Sequence, residues 1–176
     1  VVRSDNILLV RRSRRVEVHE RWVEMTYKLS QRSLDRMDGI DERLEAVVRH
    51  AITATKTDFG VICGMRTLEE QRALVEKGAS QTMKSKHLDG HAVDLMAYIG
   101  SRGSWELNLY DDIADAMAEG AREVDVPIRW GAAWTVSNIA QFHAGTMEDA
   151  MNSYIDERRS QNRRPFIDGP HFELMV

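Results

Sequence analysis

One short segment constrains the fold more than any other: Ser85-Lys86-His87-Leu88-Asp89-Gly90-His91-Ala92-Val93-Asp94-Leu95. Asp-Gly is a two-residue hairpin signal, because a type I′ turn needs positive φ at both central positions. The segment therefore predicts strand, turn and strand across residues 82 to 98. Pairing outward from the turn sets Leu88 against His91, His87 against Ala92 and Ser85 against Asp94. His87 and Asp94 then become diagonal neighbours on one face, roughly 7–8 Å apart at the backbone. Side chains of that length can meet at one ion through bonds of about 2.0–2.2 Å. On a helix the same two residues stand roughly 10 Å apart in rise, so only a reversal of the chain brings them together.

Two ligands are too few for a tight metal site. The third candidate is His171, in Ile167-Asp168-Gly169-Pro170-His171-Phe172-Glu173-Leu174. On a strand His171 and Glu173 share one face while Phe172 and Leu174 turn to the core. Two imidazoles and one carboxylate, with a fourth position left to water, form a catalytic zinc arrangement rather than a closed structural one. The same ligands can also hold other divalent ions.

The remaining pattern supplies a scaffold. Asp41 caps a predicted helix through Ala54 whose apolar stripe is Leu44, Val47, Val48 and Ala51. Phe59 to Cys63 reads as a short buried strand, with Cys63 a structural thiol in an apolar run. Thr67-Leu68-Glu69-Glu70 is a capping box that opens a second helix, closed by Gly78. Leu107 to Val124 and Met147 to Arg159 predict two more helices, and Pro170 to Met175 a closing strand. Helices around a small, mainly antiparallel sheet make an α+β domain with the metal site on the sheet. That domain is expected over residues 25–176, preceded by an extension, residues 1–24, that carries six Arg and contributes little to the core.

Charge and cysteine content narrow the function. A formal net charge of −4 argues against nucleic acid as a partner. One cysteine excludes an internal disulfide and a Cys-rich zinc finger. No stretch approaches the roughly 20 apolar residues of a membrane span. Ile7-Leu8-Leu9-Val10 is too short for the core of a signal peptide, so the expectation is synthesis in the cytoplasm. A monomer is expected.

Ser85-x-His87-x-x-Gly90-x-Ala92-x-Asp94, followed far downstream by Asp168-x-x-His171, resembles the signature of the D-Ala-D-Ala metallopeptidase family, the LAS-type zinc peptidases. Gly64-Met65-Arg66, Glu70-Gln71 and Trp130-Gly131 extend the likeness, which covers about residues 25 to 176. Within the family the chain is most similar to phage L-alanyl–D-glutamate endopeptidase endolysins, through its opening Tyr27-Lys28-Leu29-Ser30-Gln31-Arg32-Ser33-Leu34 and its compact length. One departure is Ala132, where such endolysins often carry an acidic residue after Trp-Gly.

The resemblance implies a single zinc ion held by His87, Asp94 and His171, Asp168 as general base and Arg66 steadying the oxyanion. It also implies that Ser85 positions substrate, a peptidoglycan stem peptide cut between L-Ala and D-Glu. An endolysin of this type acts on the cell wall after release from the host cytoplasm through a holin pore. Trp130 and Trp134 are candidates to line the groove, Trp130 being taken as substrate-binding, with core packing as the alternative. Glu173 is the rival base, and His91 is expected to face away from the metal. Three other activities stay open at this point: a D-Ala-D-Ala carboxypeptidase, a cytosolic dipeptidase and a non-catalytic zinc-stabilised binding domain.

Overall fold

The structure is a computed structural model that describes residues 26–176. The expected extension, residues 1–24, lies outside the described residues. Among the described residues, five α-helices surround a five-stranded antiparallel sheet. In chain order these are α1 (Gln31–Arg36), α2 (Glu42–Ala54), β1 (Asp58–Cys63), α3 (Leu68–Glu76), β2 (Ala92–Ile99), β3 (Arg102–Ser104), α4 (Leu107–Glu123), β4 (Ile128–Trp130), α5 (Met147–Ser160) and β5 (His171–Leu174). The α+β expectation holds.

Local signals act as the sequence implies. Asp41 caps α2 by accepting from the Arg43 N–H, and Leu44, Val47, Val48 and Ala51 are fully buried. Burying each large aliphatic side chain contributes about 1.5–3 kcal/mol. The Thr67–Glu70 capping box is formed at α3. Gly78 closes that helix at φ +71, its N–H reaching the Val75 carbonyl while Ala79 N–H reaches that of Leu74. α2 and α4 lie against each other, Ile113, Met117 and Ala121 adding to the buried core.

The sheet runs β1-β2-β5-β4. β2 is long enough to serve two partners on one edge: Ala92–Asp94 pair with β5, and Ala97–Ile99 with β3. The site stands on the first half of β2, where β1 and β5 flank it on opposite sides.

The predicted hairpin at Asp89-Gly90 does not form. Lys86–Asp89 is instead a single 3₁₀ turn, stopped by Gly90 at φ +70 and followed directly by β2. The dipeptide supplies one left-handed residue where a type I′ turn needs two. Ser85 caps the turn by accepting from His87 N–H at 3.4 Å, and His91 N–H closes it on the Lys86 carbonyl at 2.9 Å. Glycine is also required sterically at position 90, since a Cβ there would stand 2.6 Å from the Gly39 carbonyl oxygen. Thus β2 takes its partners from β1 and β5, not from the residues just before it.

Candidate active site

Asp94 is held between two strands, paired with Cys63 of β1 and with His171 of β5. His87 arrives from the other side, on the 3₁₀ turn. The turn therefore does the work expected of a hairpin, by a different route. His87 Nε2 lies 3.2 Å from Asp94 Oδ1, His171 Nδ1 lies 3.1 Å from the same oxygen, and the two nitrogens are 3.3 Å apart. Bonds of about 2.0–2.1 Å in a tetrahedron give ligand separations of roughly 3.3–3.4 Å. The three atoms thus stand at the spacing of a shared metal ion.

The electrostatics agree. Burial alone would lower the pKa of His87, yet its contacts with Asp94 and Cys63 push it up to about 10. His171 behaves alike: burial lowers it, but Asp94 and Glu173 carry it up to about 9. Burial opposes ionisation of Asp94, and the two imidazoles nonetheless hold it below the usual carboxylate range. A half-buried anion facing two nitrogens favours positive charge between them, which protons or a cation can provide.

A second grouping, Cys63, His87 and Asp94, also offers three ligand atoms within 4.8 Å of one another and could hold a metal ion. Its thiol faces the far nitrogen of His87, with Sγ 3.8 Å from Nδ1. That nitrogen lies 2.8 Å from the Gly64 carbonyl, the geometry of an Nδ1–H donor. A metal bound at that nitrogen would cost this bond. Cys63 is half-buried and touches Arg66, not the sealed structural thiol expected. A register shift between Val61 and Cys63 brings it opposite Asp94, and strand alternation alone cannot show that.

His171 is oriented from behind. Its Nε2 lies 3.0 Å from Glu173 Oε2, so an Nε2–H donated there leaves Nδ1 free for a metal. Arg129 clasps the other oxygen of Glu173 and sits 5.0 Å over the ring of Trp134, which itself faces His171. Burial would raise the Glu173 carboxyl, but His171 and Arg129 hold it down to about 2. Both carboxylate oxygens of Glu173 are thus engaged, one by His171 and the other by Arg129.

Asp168 is placed by backbone. Its N–H donates to the Gly131 carbonyl at 2.9 Å, and its own carbonyl accepts from His171 N–H at 3.2 Å. A Cβ on Gly131 would stand 2.5 Å from the Asp168 oxygen, so this approach needs glycine. Burial raises the Asp168 carboxyl above its ordinary range; His171 draws it back, and Asp94 pushes it further up. Trp130, expected at the substrate, is in the core: it has no exposed surface, lies parallel to Phe172 and donates Nε1–H to the Gly169 carbonyl at 2.7 Å. Its part is to hold the Asp168 turn.

Arg66 spans the site. One terminal nitrogen lies 3.3 Å from Asp94 Oδ2 and 3.2 Å from Cys63 Sγ; the other donates to Gln71 Oε1 at 2.8 Å. Gln71, fully buried, donates in turn to the Thr82 carbonyl and to Ser80 Oγ, which ties down the loop before the 3₁₀ turn. Its signal lay in the quoted Glu70-Gln71, but the tie is visible only in three dimensions. His87, Asp94, His171, Asp168, Arg66, Ser85 and Trp134 all line one cleft of about 760 Å³. His91 lies 3.8 Å from Asp41 Oδ2 and does not line that cleft.

The model of the phage L-alanyl-D-glutamate peptidase family matches residues 25–175. The chain belongs to that family. It is 26% identical over 155 residues to the L-alanyl-D-glutamate peptidase of Escherichia phage T5, covering 86% of this chain and all of that protein. The L-alanyl-D-glutamate peptidase of Listeria phage A118 is 28% identical over 114 residues, which span 63% of this chain and 40% of that protein. Among solved structures, the Serratia marcescens L-Ala D-Glu endopeptidase ChiX superposes with a TM-score of 0.63 at 30% identity, covering 87% of this chain and 94% of that one. This phage peptidase-family chain has, among its described residues, no helix long and apolar enough to cross a membrane.

Proposed function

We propose that this protein is a zinc-dependent endopeptidase that hydrolyses the L-Ala–D-Glu bond of peptidoglycan stem peptides, with one ion held by His87 Nε2, Asp94 and His171 Nδ1. The observation that carries the metal assignment is the mutual 3.1–3.3 Å spacing of those three atoms. Family membership supports the peptidase activity, and the names of the relatives support the scissile bond. When bound, the ion supplies Lewis acidity, making water acidic enough to attack near neutral pH and polarising the carbonyl.

The chain's own groups do the rest. Asp168, its affinity for protons raised by burial, takes the proton from the attacking water at its carboxylate and delivers it to the leaving nitrogen of D-Glu. Arg66, anchored by Gln71 and Asp94, offers N–H groups to the oxygen on which negative charge grows. Ser85 keeps the 3₁₀ turn in place and orients the peptide in the cleft. Action at the wall follows from that substrate, with release from the host cytoplasm by a separate pore-forming phage protein.

The test joins metal content to product. The purified protein is expected to carry about one zinc per chain, and His87→Ala and His171→Ala to carry almost none. Digested sacculi are expected to release peptides with a D-Glu amino terminus. Asp168→Asn should keep its zinc and lose about 10²–10⁴ in rate. Release of single D-Ala would replace the scissile bond with the terminal one. Full lytic activity in Asp168→Asn would remove it as base.

A further inference from the structure

Beside the metal cleft lies a second hollow of about 420 Å³, which the reaction as described leaves unused. Trp105, Leu107, Tyr110 and Ile167 line it, together with the Asp168–Pro170 turn. Trp105, Asp168 and Pro170 line both cavities, so the two adjoin and the proposed base stands at their border.

The two halves differ in chemistry. Lys84, Lys86 and Arg66 line the cleft, whereas the hollow has no cationic residue among the described residues. Its floor is fixed: Tyr110 is buried, its hydroxyl donates to the Ser104 carbonyl at 3.2 Å and it accepts from Ala97 N–H at 3.4 Å. Its wall is Trp105, which leaves 65% of its surface exposed at the junction of β3 and α4. An indole that exposed offers a flat apolar face to a ligand.

A stem peptide has the matching polarity. On the D-Glu side of the scissile bond it carries carboxylates, which suit the lysine-lined cleft. On the L-Ala side the amine is acylated by the lactyl group of N-acetylmuramic acid, so a sugar ring begins roughly 7 Å beyond the scissile carbonyl. That ring is uncharged apart from its substituents, and its axial C–H bonds make an apolar face.

We infer that the Trp105 hollow is a glycan subsite, in which the muramic acid ring lies on the indole while the acidic stem peptide extends along Lys84 and Lys86. The inference rests on the proposed cleavage of L-Ala–D-Glu. Covering about 50–60 Å² of apolar surface at ~25 cal/mol/Å² corresponds to roughly tenfold in kcat/KM.

The experiment compares two substrates with the zinc-loaded full chain: N-acetylmuramyl-L-Ala-D-Glu-diaminopimelate, and the same tripeptide carrying a plain N-acetyl group. The wild type is expected to favour the sugar-bearing peptide about tenfold. Trp105→Ala should bring that ratio to within about twofold of one, and Trp105→Phe, which keeps a ring, should retain at least half of it. A wild-type ratio near one overturns the subsite. So does an undiminished ratio in Trp105→Ala. Failure of the underlying reading looks different: then neither tripeptide nor isolated sacculi yields a D-Glu amino terminus.

Discussion

Replacing Glu173 by Gln asks whether the orientation of His171 matters to the metal. The carboxylate accepts from His171 Nε2–H at 3.0 Å and is itself gripped by Arg129. Only the tautomer with the proton on Nε2 presents a lone pair on Nδ1 toward Asp94 and His87. A hydrogen bond to an ionised acceptor contributes about 1.5–3 kcal/mol, against about 0.5–1.5 for a neutral one. The substitution therefore loses roughly 1–2 kcal/mol. The Gln amide can also turn its NH₂ toward Nε2, which favours the tautomer that cannot ligate. Each 1.4 kcal/mol is a factor of ten, so zinc affinity should fall about 5–30-fold, overlapping the roughly 10–100-fold usual for groups that orient a ligand. Competition against a chromophoric chelator at pH 7.5 measures it directly, and circular dichroism checks that the fold survives. A zinc Kd within twofold of wild type would refute the reasoning, since the Glu173–His171 bond would then have no bearing on the metal.

Two further outcomes concern stability. Gly131→Ala places a Cβ 2.5 Å from the Asp168 carbonyl oxygen and 3.0 Å from His171 Cβ, neither of which is the end of a flexible chain. Overpacking of that kind costs about 2 kcal/mol, so Tm should drop by roughly 4–8 °C, read by calorimetry, and activity should fall more than stability because the base and a ligand move together. Asp111, on α4, provides a test of pH dependence. Burial, with Glu148, Asp115 and Asp112 nearby, raises its carboxyl to about 6, and one oxygen is buried without a hydrogen-bond partner. A folded-state pKa above the unfolded value means stability is full below about pH 4 and is lost as pH rises through about 6. Asp111→Asn should therefore raise Tm at pH 7.5 in thermal melts, with the gain vanishing near pH 4; equal gains at both pH values would show that charge is not the cause.

Several features were readable before any fold was known. The stripe of α2, the Thr67 capping box and the Gly78 helix stop are local patterns, each decided within a turn or two of chain. They form as read because neighbouring residues alone satisfy them. The Asp89-Gly90 pair shows the limit of that logic. A left-handed glycine ends a hairpin turn or a 3₁₀ turn equally well, and the partners available to β2 chose between them. Trp130 shows the same limit at a single side chain, since a tryptophan beside a site can face substrate or core with one sequence.

By itself the sequence determined which chemistry was on offer: two histidines and an aspartate as candidate ligands, an aspartate three residues before one of them, and an arginine just ahead of a capped helix. Whether those groups meet was decided by the tertiary structure. His171 is 84 residues from His87, and only the pairing of β5 with β2 carries it to Asp94. The shift that turns Cys63 toward Asp94, the glycine contact that seats Asp168 and the Arg129–Glu173 clasp behind His171 are likewise products of packing between distant segments. Local propensity reaches a few residues along the chain, while a metal site needs atoms placed within tenths of an ångström across it.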